Sequence, residues 1–225
     1  MDLAIDCASD EPGLAFASGG VTGLMLTWRT ERNHSVELLP NIERLLAEAE
    51  RAKDDIDAVF VDIGPGGYAA LRVGVSVAKG VAHGLAVPIV GVGRLEADAF
   101  AVARDAADRR IVSLHRAGRG ELAWAAYRRT PGGWHEDSSP RVAKHPEVIG
   151  NIAAGDAVTG DGAPEIADEI LRAGATLLVP DQHRVVALAA LGNARLAARR
   201  TDDPNTLVPL YLRAPAIGPQ NAPGR

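Results

Sequence analysis

The stretch Phe60-Val-Asp-Ile-Gly-Pro-Gly-Gly-Tyr-Ala-Ala-Leu-Arg-Val-Gly74 sets Gly64, Gly66 and Gly67 between an apolar run and a helix-like segment. Strand, glycine loop and helix together form a common phosphate cradle, because loop N–H groups and the helix N-terminus face the anion. Asp6, at the end of the first apolar run, and Ser9 just after it are the other residues that a nucleotide site would use. A Walker-type loop, however, needs a Lys and a Ser or Thr at its end, to neutralise phosphate and to hold magnesium. Here Gly66 is followed by Gly-Tyr-Ala-Ala-Leu-Arg, which supplies none of them. The spacing Gly64-x-Gly66-x-x-Ala69 fits a dinucleotide fingerprint formally. That fingerprint belongs to a first strand and requires an acid at the end of the next one. This loop follows a fourth predicted strand, and the next strand ends Gly91-Val92-Gly93. The competing reading is steric: the glycines let a strand turn sharply into a closely packed helix.

Other chemistries are poorly supplied. The six histidines, His34, His83, His115, His135, His145 and His183, are scattered and form no pair at helical metal-ligand spacing. The sequence contains no Gly-x-Ser-x-Gly elbow for a serine hydrolase. One cysteine, Cys7, cannot form an internal disulfide or a zinc thiolate cluster, and it reads as a small buried hydrophobe.

The elements that must position these residues come in two similar series. Leu3–Asp6, Gly13–Ala17 and Gly23–Trp28 are short apolar runs with turn residues between them, the pattern of an antiparallel meander. In the segment from His34 to Ala52, Leu38, Leu39, Ile42, Leu45, Leu46 and Ala49 recur at three- and four-residue steps, which predicts an amphipathic helix with Pro40 near its start. A strand from Ala58, a helix over about Tyr68–Leu85, a strand Pro88–Gly91 and a helix Leu95–Ala107 follow. The second series predicts strands at Arg110–Leu114, at Glu121–Arg129 and around Trp134. A surface connection through Ser138–Arg141 and His145-Pro146 comes next. Then follow a strand and turn at Ala157–Gly162, a helix Pro164–Ala173, a strand Thr176–Val179 and a helix Val185–Arg200. Meander, helix, strand and helix occurring twice predict a duplicated α/β unit, with lobes 1–104 and 105–225, the latter ending in a flexible tail.

The Tyr68–Leu85 helix carries Leu71, Val75, Ala78, Ala82 and Leu85 on one side and Val73, Val77 and Val81 on the other. A helix apolar on two sides is sandwiched within its own domain or covered by a partner. Sequence alone leaves both readings open.

Composition fits a protein with a substantial core: 225 residues, 47% hydrophobic and 24% charged. A net charge of -5 excludes a broad basic footprint for gripping nucleic acid alone. No apolar run reaches bilayer length, and the N-terminus lacks the cationic and apolar regions of a signal peptide. These features predict a bacterial-type cytoplasmic location and no membrane partner.

The combination His34-Ser35-x3-Leu39-Pro40-x-Ile42-x2-Leu45-Leu46, Gly64-Pro65-Gly66, Leu71-Arg72-x-Gly74, Gly80 and Pro88 resembles the bacterial TsaB (YeaZ) family. So do Leu3-Ala-Ile-Asp6-x-Ala8-Ser9 at the start, and Gly160-Asp-Gly-Ala163 and Pro209-Leu-Tyr-Leu-Arg213 later on. The resemblance spans nearly the whole chain and is densest over residues 1–100. It implies an α/β fold of duplicated actin-like (ASKHA, ribonuclease H-like) lobes, with mixed sheets flanked by helices. It also implies a non-catalytic role in threonylcarbamoyl transfer to the adenosine next to the anticodon of transfer RNA. The implied partners are a TsaD-type catalytic subunit, a TsaE-type ATPase and, without them, a second copy of the chain; tRNA is met only through the complex. The implied interface lies on the first two helices, here Leu39, Ile42, Leu46, Leu71, Val73, Val77 and Val81. No catalytic residue, metal or tightly bound cofactor is implied, and weak ATP or ADP binding at a shared interface is left open. The older glycoprotease label of this superfamily finds no clustered metal ligands here.

The chain departs from the family where Ser-Phe-Thr-Gly usually follows Gly-Pro-Gly. Gly67-Tyr-Ala-Ala70 lacks both hydroxyls, so Asp6, Ser9, Gly64, Gly66 and Gly67 read as a vestigial nucleotide loop. Arg116-Ala-Gly-Arg119 before Gly120-Glu121 replaces the family's usual acid with a base. The alternative reading is a diverged sugar- or acetate-kinase-like enzyme of the same fold that uses Asp6 beside phosphate.

Overall fold

The computed structural model describes residues 1–31 and 33–213. The predicted tail beyond residue 213, and Arg32, lie outside the described residues.

The first sheet is built from β1 (Asp2–Asp6), β2 (Gly13–Ser18), β3 (Val21–Thr27), β4 (Ala58–Gly64) and β5 (Ile89–Gly93), in the order β3-β2-β1-β4-β5. β1–β3 form the predicted antiparallel meander, and β4 and β5 add in parallel. The second sheet contains β6 (Ile111–Gly118), β7 (Glu121–Thr130), β8 (Gly133–Lys144), β9 (Ala157–Thr159) and β10 (Thr176–Leu177). Its order, β10-β9-β6-β7-β8, is the first order read from the other end. The duplication that element succession suggested is therefore present in the hydrogen-bonded topology.

Alternation along the strands divides the core into layers. Leu3, Ile5, Val59 and Val61 face one way, against α1 (His34–Glu48) and α2 (Tyr68–Leu85). Ala4, Ala15, Ala58 and Phe60 face the other way, against α7 (Arg184–Ala197). The second sheet turns Leu122, Trp124 and Ala126 toward α5 (His145–Gly150) and α6 (Ala167–Arg172). Its other face, with Ala123, Ala125 and Tyr127, packs on Leu95 and Ala99 of α3 (Arg94–Ala101) and on the short α4 (Ala103–Ala106). Between the sheets, α3 and α7 pack on each other. Each of them also crosses over: α3 leaves β5 of the first sheet and covers the second, and α7 leaves β10 of the second and covers the first. The inner faces are rich in alanine, so these two helices approach closely. At Gly192 of α7 an added Cβ would enter the Phe60 ring.

Three local expectations are corrected. Pro40 lies in the interior of α1, not near its start. It is exposed, so the carbonyl deprived of its N–H partner lies on the solvent side of the helix. Ser138–Arg141 lies inside β8, where a surface connection was expected. β8 is an edge strand with register shifts opposite Trp124–Tyr127, which is where a sheet tolerates Pro140. The Leu95–Ala107 helix is two pieces, broken at Val102. Among the described residues, no helix is long and apolar enough to cross a membrane.

Candidate functional site

The glycine loop closes on the end of β1. A Cβ on Gly66 would collide with the backbone of Ala8, and one on Gly64, whose φ is +100°, would lie 2.7 Å from Leu71 Cδ1. Gly74, one turn further along α2, faces Cys7 at 3.0 Å from the same kind of added atom. The glycines therefore do steric work: they let the β4–α2 turn sit against the residues that follow Asp6. The Ser9 hydroxyl accepts from Glu11 N–H and from Arg184 Nη2, each at 3.3 Å, and donates to Glu11 O at 3.1 Å.

Asp6 itself is fully buried and already committed. Its Oδ1 accepts the Ala8 N–H at 2.9 Å, and its Oδ2 lies 3.1 Å from Nη2 of Arg184. The same guanidinium reaches Asp62 at 3.4 Å and Asp98 at 2.9 Å. One arginine from the first turn of α7 thus meets three buried carboxylates, carried by β1, β4 and α3. Burial pushes the Asp62 carboxyl up, with the charge of Asp6 adding to it, to about 8. Burial also opposes ionisation of Asp6, but Arg184, His183, the Ala8 N–H and Arg94 together outweigh it and hold Asp6 below the usual range. Asp6 is the anion of the pair and Asp62 carries a proton at neutral pH.

A related cluster stands at the second sheet. The strand registers place Asp2 beside Ala58 and Ile111 beside Ala157, so His115 stands four residues into β6, as Asp6 does in β1, and Asp161 takes the place of Asp62. His115 Nδ1 and Asp161 Oδ1 are 2.8 Å apart. Burial lowers the His115 pKa, so the neutral ring donates Nδ1–H to the carboxylate. Burial works against the Asp161 charge, but the bonds from His115 and the Arg94 cation hold Asp161 well below the carboxylate range. Arg94, at the start of α3, donates to Asp161 at 3.1 Å and to Ala8 O at 3.0 Å, and pairs with Asp98 at 3.5 Å. Asp98 therefore touches both arginines, and the two clusters form one ionic chain across the lobes.

A cleft of about 440 Å³ opens above this chain, lined by Ala8–Asp10, Gly66, Gly67, Arg94, His115–Gly118 and Asp161. The residues do not fit a magnesium–nucleotide. The acid that would face phosphate is closed off by Arg184, the glycine loop lacks Lys, Ser and Thr, and Gly66 lies against Ala8. The kinase-like alternative loses its central residue on this geometry.

The residues expected at a partner interface divide by burial. Leu39 is 52% exposed, and Leu46, Val73, Val77 and Val81 are half-buried at the outer side of α1 and α2. Ile42 and Leu71 are corrected to core positions, at 5% and 2% exposure. Ile42 shares the inward stripe with Leu38 and Leu45, and Leu71 packs on Gly64. Sequence reasoning missed Val36, 72% exposed on the outward stripe of α1, although its three-residue spacing from Leu39 carried the signal. It also missed Arg184, Arg94, Asp62 and Asp98. Charged residues at the ends of strands and helices carry no periodicity of their own.

A family model described as "TsaD: tRNA N6-adenosine threonylcarbamoyltransferase" matches residues 28–157, more than half of the chain. The tRNA threonylcarbamoyladenosine biosynthesis protein TsaB of Escherichia coli is 30% identical over 148 residues, which is 65% of this chain and 63% of that protein. The solved structure of a Pseudomonas aeruginosa protein described as similar to peptidase YeaZ superposes with a TM-score of 0.79 at 26% identity, covering 95% of this chain and 100% of that one. The chain belongs to the TsaB/YeaZ family. At the level of fold alone, the Clostridium difficile activator of 2-hydroxyisocaproyl-CoA dehydratase, solved with ADPNP, shares the duplicated-lobe architecture at a TM-score of 0.50 and 11% identity, over 90% of this chain and 98% of that one. Gly64 and Gly66 of the glycine loop are engaged in packing against Leu71 and Ala8.

Proposed function

We propose that this chain is a non-catalytic partner subunit in threonylcarbamoyladenosine formation on tRNA, and that it docks a TsaD-type catalytic subunit through the outer face of α1 and α2. The observation that carries the reading is that face itself. Val36 and Leu39 stand exposed, and Leu46, Val73, Val77 and Val81 form a half-covered apolar surface beside them. A contiguous exposed apolar patch on a folded protein marks an interaction site. The family supports the reaction to which the docking contributes, through the E. coli TsaB relative and the TsaD family model. The closed acid cluster supports a non-catalytic role, because Asp6 has no free face toward a substrate. On this reading the lobes divide at 1–104 and 105–225, a TsaE-type ATPase joins the assembly in the cytoplasm, and the chain pairs with itself through the same face when alone.

Light-scattering chromatography of the full chain, alone and mixed with the TsaD-type subunit of its own organism, tests the reading. A species with the summed mass of one copy of each is the expected result. Two folded proteins eluting independently at micromolar concentration would overturn it.

A further inference from the structure

The motif Pro209-Leu-Tyr-Leu-Arg213 has no part in the docking face, yet it touches both lobes. Leu207 is buried in the first core, and its carbonyl accepts Lys79 Nζ of α2 at 3.1 Å. The Leu210 N–H donates to Ile63 O at 2.7 Å, the last turn of β4. The Tyr211 ring lies 5.0 Å from that of Tyr68, the first residue of α2. Leu212 then packs on the second sheet's inner core. Arg213 pairs with Glu121 of β7 and donates to Ala117 O of β6 at 3.2 Å. Seven residues thus run from the first lobe to the second with an anchor at each end. Beneath them lies a cavity of about 470 Å³, with Ala123 and Val142 in its wall.

We propose that residues 207–213 are a latch over the interlobe groove, and that releasing its Arg213 end exposes the groove's buried wall at Ala123 while the lobes stay folded. The two ends differ in strength. Leu207 is held by burial and by two backbone bonds nearby. The Arg213 end has the half-buried Leu212, one bond to Ala117 O, an ion pair whose side chains are 34% and 26% exposed, and one aromatic contact half open to water. A partly exposed pair of this kind contributes little and opens readily, so the latch hinges on Leu207 and swings at Arg213. The inference does not depend on docking at α1 and α2, although Tyr68 belongs to the same helix.

The test uses the full chain with Ala123→Cys as a reporter in the cavity wall, labelled with a small aromatic disulfide. Cys7 is 1% exposed in the other core and serves as the slow internal reference. Arg213→Gln is expected to raise the labelling rate roughly fivefold and Tyr211→Ala roughly tenfold. Exchanging the pair, Glu121→Arg with Arg213→Glu, should bring the rate back to within about twofold of the parent. Equal rates in parent and variants overturn the latch, and so does a parent that already labels at the speed of an unfolded control. If Ala123→Cys disturbs the fold, hydrogen exchange replaces it. Faster exchange in 207–213 of the Arg213→Gln chain, with β4 unchanged, supports the proposal, and identical exchange overturns it.

Discussion

Arg184 Nη2 stands 3.1 Å from Asp6 Oδ2, and the two residues come from opposite ends of the chain and from elements that follow different sheets. The contact closes the acid at the end of β1 and ties α7 to the first sheet. Replacing Arg184 with Ala leaves Asp6 buried without its closest cation and Asp98 with Arg94 alone. We expect a loss of about 3–5 kcal/mol, the usual result of removing one partner from a buried pair, read as a lower urea midpoint at unchanged slope. Arg116→Ala is the contrast, since its pair with Glu165 is largely exposed; its loss should stay below about 1 kcal/mol.

The Asp62 carboxyl gives the stability of the fold a pH dependence of definite sign. Its pKa rises from 3.8 in the unfolded chain to about 8 in the folded one, so the folded state binds the extra proton across that window. Its contribution is fully present below the unfolded value and is lost as pH rises through about 8. Asp161 and Asp6 act oppositely: their folded pKa values are depressed, and their contribution disappears as pH falls below the ordinary carboxylate range. Asp62→Asn should flatten the decline between about pH 4 and about 8 and leave the limb below the ordinary carboxylate range as it was. Urea titrations across pH measure both limbs, and an unchanged slope between about pH 4 and 8 in Asp62→Asn would exclude this assignment.

Gly66 and Gly67 separate packing from flexibility in the loop. A methyl at Gly66 meets the Ala8 backbone, which cannot swing aside, whereas one at Gly67 meets only Ala70 Cβ at 3.6 Å. Gly66→Ala is expected to cost about 2 kcal/mol or more, and Gly67→Ala less than about 1 kcal/mol. Thermal unfolding of the two variants side by side decides it; equal losses would mean that the turn, not the close approach, needs glycine.

On the proposed docking face, Val77 is the residue whose change separates association from folding. It is half-buried at the outer side of α2, so a glutamate there can reach water in the free monomer but not beneath a partner. Val77→Glu should abolish the mixed species in chromatography while circular dichroism of the monomer stays native. A complex of unchanged affinity would move the interface elsewhere.

Much of this protein follows from the order of its residues. Short apolar runs with turn residues between them marked the strands of the first meander, because strands covered on both faces read as continuous apolar stretches. The three- and four-residue steps of Leu38, Leu39, Ile42, Leu45, Leu46 and Ala49 made α1 legible as a helix, but they did not separate the buried Leu38, Ile42 and Leu45 from the exposed Leu39. The bounds of α2 were legible for the same reason, since glycines precede it and the apolar run continues for several turns.

What only the tertiary structure decided is which distant residues meet. Arg184 and Ser9 are 175 positions apart and 3.3 Å distant, and nothing local to either residue encodes the contact. The crossing of α3 and α7 onto each other's sheets brings Arg94 and Arg184 to the strand ends and leaves Asp6 no open side. Pro140 in an edge strand and Pro40 within a helix are of the same kind: local rules count the missing N–H, but only the assembled fold shows that water or a sheet edge tolerates its absence. The sequence by itself determined the layers and the doubled topology through periodic burial. The closed ionic chain between the lobes arose from packing, where charges remote in the chain are forced to neutralise one another once water is removed.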